Sequence, residues 1–176
     1  MNRLQNKRRT MKLIVISSPA PVPNEHSIIN SLFEEGLEIF HIHKPTFSKE
    51  ETEKFIRQIP AKYYNKIFLH SDFPKFHSMQ EMENYKRKYE YAFLSPIFDS
   101  ISKAGYKSKF YVHELKFKIE GKNIIALSGI DEEKIAFCRV LGFVGVAVLG
   151  ALWNSKDSVE KFKRIKVKCQ KKDLVS

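Results

Sequence analysis

Short, wholly apolar runs alternate along this chain with longer segments whose apolar residues recur every three or four positions. Lys12–Ile16 (KLIVI), Leu37–His43 (LEIFHIH), Lys66–His70 (KIFLH), Tyr91–Ile97 (YAFLSPI), Asn123–Leu127 (NIIAL) and Gly145–Leu149 (GVAVL) read as strands. Between the first two, Ile28, Ile29, Leu32 and Phe33 share one face of a predicted helix over His26–Glu35, capped by Asn24 and ended by Gly36. Ser48-Lys-Glu-Glu51 and Ser78-Met-Gln-Glu81 have capping-box spacing and open helices running towards Ile59 and Tyr89. Val112–Ile119 reads as a short helix, Asp131 caps another that ends near Leu141, and a last one runs from Asp157 to Lys168. Strands without polar alternation are buried on both faces, as in a parallel sheet. Either a barrel or an open doubly wound sheet satisfies this α/β rhythm, and both place the site at the C-terminal strand ends.

Composition narrows the organisation. A chain of 176 residues, 43% hydrophobic, can build one core but not two ordinary domains. The expected division is a basic, disordered extension over residues 1–10, one domain over 11–170 and a tail over 171–176. No apolar run reaches the ~18 residues of a membrane span. Met1–Thr10 lacks the small-residue cleavage site of a signal peptide, so the expected location is cytoplasmic. Cys138 and Cys169 have neither disulfide-framework nor zinc spacing.

The net charge of +11 suggests nucleic acid until it is located. Residues 1–10 carry four of the excess basic groups and residues 161–172 carry seven, with no acid in either stretch. The middle of the chain is balanced, which favours solvated ends over a nucleic-acid surface.

Candidate chemistry collects at the predicted strand ends: His41-Ile-His43-Lys44, His70-Ser71-Asp72, Ser95–Lys103, Ser128-Gly129 and Leu149-Gly150. The Ser95–Lys103 loop combines Ser95, Ser100 and Ser102 with Asp99 and Lys103; hydroxyls and an ammonium past a buried strand suit a phosphate. Gly129 and Gly150 lie at turns after consecutive strands, where glycine lets backbone N–H groups approach a phosphate. A polar surface loop and ordinary turn glycines account for the same residues without function. His41 and His43 point the same way on a strand, yet no third ligand lies nearby for zinc.

Tyr91–Lys103 (YAFLSPIFDSISK), Ile125–Ile130 (IALSGI) and Gly142–Trp153 (GFVGVAVLGALW) together resemble the thiamine phosphate synthase/TenI family. His41–Pro45 and Phe76–Glu81 fit it too, in matching order between residues 11 and 168. The resemblance implies a TIM-type (β/α) barrel that binds a thiazole phosphate and, in the synthase, a pyrimidine pyrophosphate with Mg²⁺. It implies that Ser100, Ser102 and Lys103 hold thiazole and pyrophosphate, and that Gly129, Leu149 and Gly150 form phosphate turns. It also implies that His77 is the general acid/base of a TenI-like thiazole tautomerase. His41, His43, Lys44 and Ser95 complete the expected substrate-binding set.

Three departures qualify that expectation. His43 stands where the synthase has arginine, a permanent bidentate cation in place of an imidazole that titrates near pH 6.5. His70-Ser71 replaces Asn-Asp, leaving Asp72 as the candidate metal ligand one residue late. One βα unit is shortened or missing between Asp72 and Phe76, so the barrel is expected to be incomplete, with a homodimer as one way to cover the gap. The readings are therefore a synthase, a tautomerase using His77, or a non-catalytic thiazole-phosphate-binding remnant.

Overall fold

The computed structural model describes residues 10–99 and 110–171. Seven strands form one curled sheet in which every pairing is parallel: β1 (Lys12–Ile16), β2 (Ile39–Ile42), β3 (Ile67–Leu69), β4 (Lys75–Phe76), β5 (Ala92–Leu94), β6 (Ile124–Ala126) and β7 (Gly145–Val148). Their order is β3-β2-β1-β7-β6-β5-β4. First and last strands are paired, as in a barrel, but the ring is open between β3 and β4. The cause is chain length. Only His70–Pro74 separates these strands, whereas a parallel crossover takes about a dozen residues or more. The incomplete barrel expected from the sequence is thus observed, and the break falls at the shortened segment.

Helices α1 (Glu25–Glu34), α2 (Lys49–Arg57), α3 (Met79–Asn84), α4 (Val112–Ile119), α5 (Ile135–Leu141), α6 (Gly150–Trp153) and α7 (Ser158–Gln170), with 3₁₀ turns at Ala61–Lys66 and His70–Asp72, complete the described elements. Side-chain alternation along each strand divides the core. One cluster, with Val15, Phe40, Ile42, Leu94, Ala126 and Val148, packs against the helices. The other, with Ile14, Ile16, Tyr91, Phe93, Ile125 and Ala147, fills the barrel. β7 can approach β1 closely because position 145 is glycine: a Cβ there would lie 2.6 Å from the Lys12 carbonyl oxygen.

Several boundaries differ from the sequence reading. Asn24 precedes α1 in a left-handed conformation, with no side-chain cap. The Ser48 capping box is present in full. At α3, Ser78 accepts from the Glu81 amide, while the Glu81 carboxylate accepts from the His77 amide instead of Ser78; the helix ends at Asn84, well before Tyr89. Asp131 caps a turn through the amides of Glu133 and Lys134, and α5 begins only at Ile135. The four-residue α6 was not anticipated; the Trp153 indole N–H donates to the Ile16 carbonyl at 2.7 Å and fastens it to β1.

Much of the basic C-terminal stretch has structural partners. Lys161 and Arg164 both reach Glu132, at 3.2 and 3.3 Å, and Lys166 donates to the Glu35 carbonyl at the end of α1. No described helix is long and apolar enough to cross a membrane.

Candidate active site

A cavity of about 470 Å³ opens at the C-terminal ends of the strands. His43, His70, Lys75 and His77 line one side; Ser128, Gly129, Leu149 and Gly150 line the other, with Ser95 between. Of the residues expected from the sequence, His43, His77, Ser95, Gly129, Leu149 and Gly150 are therefore brought together. Ser100, Ser102 and Lys103 lie outside the described residues.

His41 sits below the cavity, fully buried in the barrel. Its Nε2 is 2.7 Å from the Tyr91 hydroxyl and its Nδ1 is 3.3 Å from Nδ1 of His70. Burial, reinforced by the Lys75 charge, lowers its pKa from 6.5 to about 4. The same causes, joined by His41 and His43, lower His70 to about 3. Both imidazoles are neutral at pH 7 and act as hydrogen-bonding groups. Tyr91 is shifted upward by desolvation and stays protonated. His43 is also shifted downward, by burial first and Lys75 second.

Lys44 lies elsewhere. It follows His43 by one residue, so strand alternation turns it to the opposite face. There its ammonium is 2.7 Å from the Glu25 carboxylate, with both side chains nearly inaccessible, and lies over the Phe55 ring. It is a buried structural cation and does not line the cavity.

Lys75 does line it. Its ammonium donates to the carbonyls of His70 and Phe73, at 3.0 and 3.2 Å, and so bridges the two sides of the sheet opening. Partial burial lowers its pKa, opposed by Asp72. Among the described lining residues it is the one lysine or arginine. Sequence reading passed over it because it stands in the abbreviated segment, where no family motif remains.

The glycine turn after β6 is held by the segment after β5. Ile97 and Phe98 amides donate to Leu127 and Ser128 carbonyls at 3.1 and 3.2 Å, and Ser128 Oγ donates to the Phe98 carbonyl at 3.3 Å. Gly129 has φ of +67°, and a Cβ there would stand 2.3 Å from the Asp99 carbonyl oxygen. Only glycine fits both constraints. On the adjacent strand end, the first amides of α6, at Gly150 and Ala151, have no acceptor within their own helix. His77 is exposed at the rim, its Nδ1 3.3 Å from Ser95 Oγ.

Mg²⁺ takes carboxylate and phosphate oxygens. The described lining residues include no carboxylate. Asp72 is on an exposed turn, where its carboxylate accepts from Ser71 Oγ at 3.4 Å, and it is not part of the cavity wall. Among the described residues, the mouth offers no ligand set that fits a protein-held Mg²⁺.

No protein-family model and no curated protein matches the chain by sequence. Solved structures do match. Thiamine phosphate pyrophosphorylase from Bacteroides thetaiotaomicron is 30% identical with a TM-score of 0.74, covering 90% of this chain and 97% of that one. Thiamine phosphate pyrophosphorylase from Pyrococcus furiosus is similar in fold, with a TM-score of 0.72 at 16% identity, covering 93% of this chain and 98% of that one.

Proposed function

We propose, from the premise that the chain belongs to the structural family of the thiamine phosphate pyrophosphorylases, that it binds a thiazole phosphate and joins it to a pyrimidine pyrophosphate with release of pyrophosphate. The observation that carries this reading is the cavity itself. It has the Gly129 and Gly150 turns on one side and Lys75 with imidazoles on the other, so residues suited to anions line two sides. Two phosphorylated substrates placed with their reacting ends inward make use of both walls. The Ser128–Gly129 turn, pinned to Ile97 and Phe98, is a rigid seat for the thiazole phosphate.

A second reading has its own observation. His77 stands at the rim beside Ser95 Oγ, within reach of a substrate seated on the glycine turns, as a proton-transferring group in a thiazole tautomerase requires.

The test is an incubation of the full chain with hydroxyethylthiazole phosphate and hydroxymethylpyrimidine pyrophosphate, following thiamine phosphate and pyrophosphate. Product formation is expected. No product, together with no thermal shift from millimolar thiazole phosphate, overturns the reading. The same preparation is assayed on thiazole carboxylate phosphate. There a His77→Ala variant loses roughly 10²-fold in rate if the second reading holds, and an unchanged rate excludes it.

A further inference from the structure

The wall formed by β2 and β4 has a consequence for how this chain handles a phosphate. Lys75 places its ammonium at the mouth but commits only two of its three donors, to the His70 and Phe73 carbonyls. The His43 and His70 rings stand edge to face at 5.4 Å beside it. His43 is held by its backbone, whose amide donates to Ser17 Oγ at 2.7 Å, and its ring is only half-buried. One ammonium and one accessible imidazole therefore share a wall on which no described carboxylate stands.

We infer that Lys75 and His43 form a proton-coupled, metal-independent site for a phosphate or diphosphate group, on the wall opposite the glycine turns. The inference takes from the family reading only the expectation that a diphosphate enters this cavity. Lys75 supplies an ammonium. His43 supplies a second, conditional charge: with the cavity empty, burial and then the Lys75 charge lower its pKa, and an anion bound between them offsets the field of Lys75 and favours a proton on the ring. The described facing groups are compatible with this. His41 and His70 are too deeply buried to charge above about pH 4 and 3, and Tyr91 stays protonated. Asp72, on the outer side of the turn, favours the charged form of Lys75. His77 stands at the rim next to Ser95. The cationic role that an arginine at position 43 would fill on β2 thus passes to β4, where the shortened connection has brought Lys75 to the mouth.

Calorimetry of the full chain with inorganic pyrophosphate, in excess EDTA at pH 6, 7 and 8, tests this. Pyrophosphate is expected to bind without divalent cation, at least about threefold more tightly at pH 6 than at pH 8, with net proton uptake in buffers of different ionisation enthalpy. Lys75→Met is expected to weaken binding about tenfold or more at every pH. His43→Gln is expected to lose most of the tightening between pH 8 and pH 6 that the unaltered chain shows. Because Lys75 also bridges the sheet opening, Lys75→Met is accepted only if its melting transition is intact. Otherwise the EDTA and His43→Gln arms decide. Binding that requires Mg²⁺, is independent of pH, or survives Lys75→Met overturns the inference. A parallel titration with hydroxyethylthiazole phosphate separates the two claims. Thiazole phosphate binding without pyrophosphate binding sinks this site alone, and the converse sinks the thiazole reading alone.

Discussion

At the scale of single residues, two histidines, His41 and His70, are buried inside the barrel. His41 and His70 are neutral when folded and ordinary when unfolded, so their folded pKa values lie below the unfolded ones. Above about pH 6.5 neither state is protonated and the pair contributes nothing to pH dependence. Below it the unfolded chain binds protons that the folded chain refuses, and stability falls as pH falls. The loss is on the order of 1 kcal/mol per pH unit for each imidazole, down to about pH 4 for His41 and about pH 3 for His70. Melting temperature is accordingly expected to be flat from pH 8 to 7 and to drop steadily from pH 6 to 4.5. A His70→Asn variant, which can still hydrogen-bond to His41, is expected to show about half that slope. A wild-type melting temperature unchanged between pH 7 and 5 contradicts the neutral pair.

At the scale of elements, β2 and its continuation show how one strand divides labour. His41 and His43 face inward, while Ile42 and Lys44 face the helices, where Lys44 meets Glu25 at the start of α1. Removing one partner of so enclosed an ion pair leaves an uncompensated charge, which costs roughly 3–5 kcal/mol. Lys44→Met is therefore expected to lower stability by that order in urea melts while leaving pyrophosphate and thiazole phosphate affinity within about twofold of wild type. Lys44→Met combined with Glu25→Leu is expected to recover most of the loss. A selective loss of ligand affinity in the single variant would return Lys44 to the site. The distinction was legible in strand alternation, because residues one apart on a strand cannot share a face, yet Lys44 was expected in the substrate-binding set with His41 and His43. The glycine turns and most of the strands were legible too, through apolar runs that stop at glycine. Lys75 was not. Its role depends on a five-residue connection between β3 and β4 bringing two non-adjacent strand ends within reach of one ammonium, and no local pattern encodes that. The short α6 escaped for a related reason: it is held by the distant Ile16 carbonyl through Trp153.

At the scale of the whole molecule, the barrel is interrupted where the chain is short, and side chains occupy the break where backbone pairing is lacking. Phe73, from the β3–β4 connection, stacks on Tyr91 at 4.5 Å and packs against His41 at 4.6 Å, while His70 lies 4.8 Å from Phe93. These contacts span the opening from β2 to β5 but leave the outer edges of β3 and β4 without a strand partner among the described residues. They also leave β3 thinly covered, with Leu69 37% exposed on its outer face. Local stability follows buried contact and paired backbone, so it must be uneven around the ring. The amides of β7 and of buried Ile14, Val15 and Ile16 in β1, in strands paired on both sides, are expected to exchange hydrogen only on global unfolding. Those of β3 are expected to exchange at least about tenfold faster. Phe73→Ala removes the stacked ring from the break. It is expected to widen that difference and cost about 2–3 kcal/mol, with β1 and β7 protection reduced only by the global loss. Uniform exchange around the sheet, or a Phe73→Ala effect spread equally over all seven strands, would mean that the opening is sealed by something other than this aromatic cluster. Lys75 is tied to the same break through the His70 and Phe73 carbonyls, so ligand bound at Lys75 should slow exchange in β3 more than in β6, which coordinates nothing across the gap. That selective protection links the missing unit of the barrel to the anion wall that replaces it.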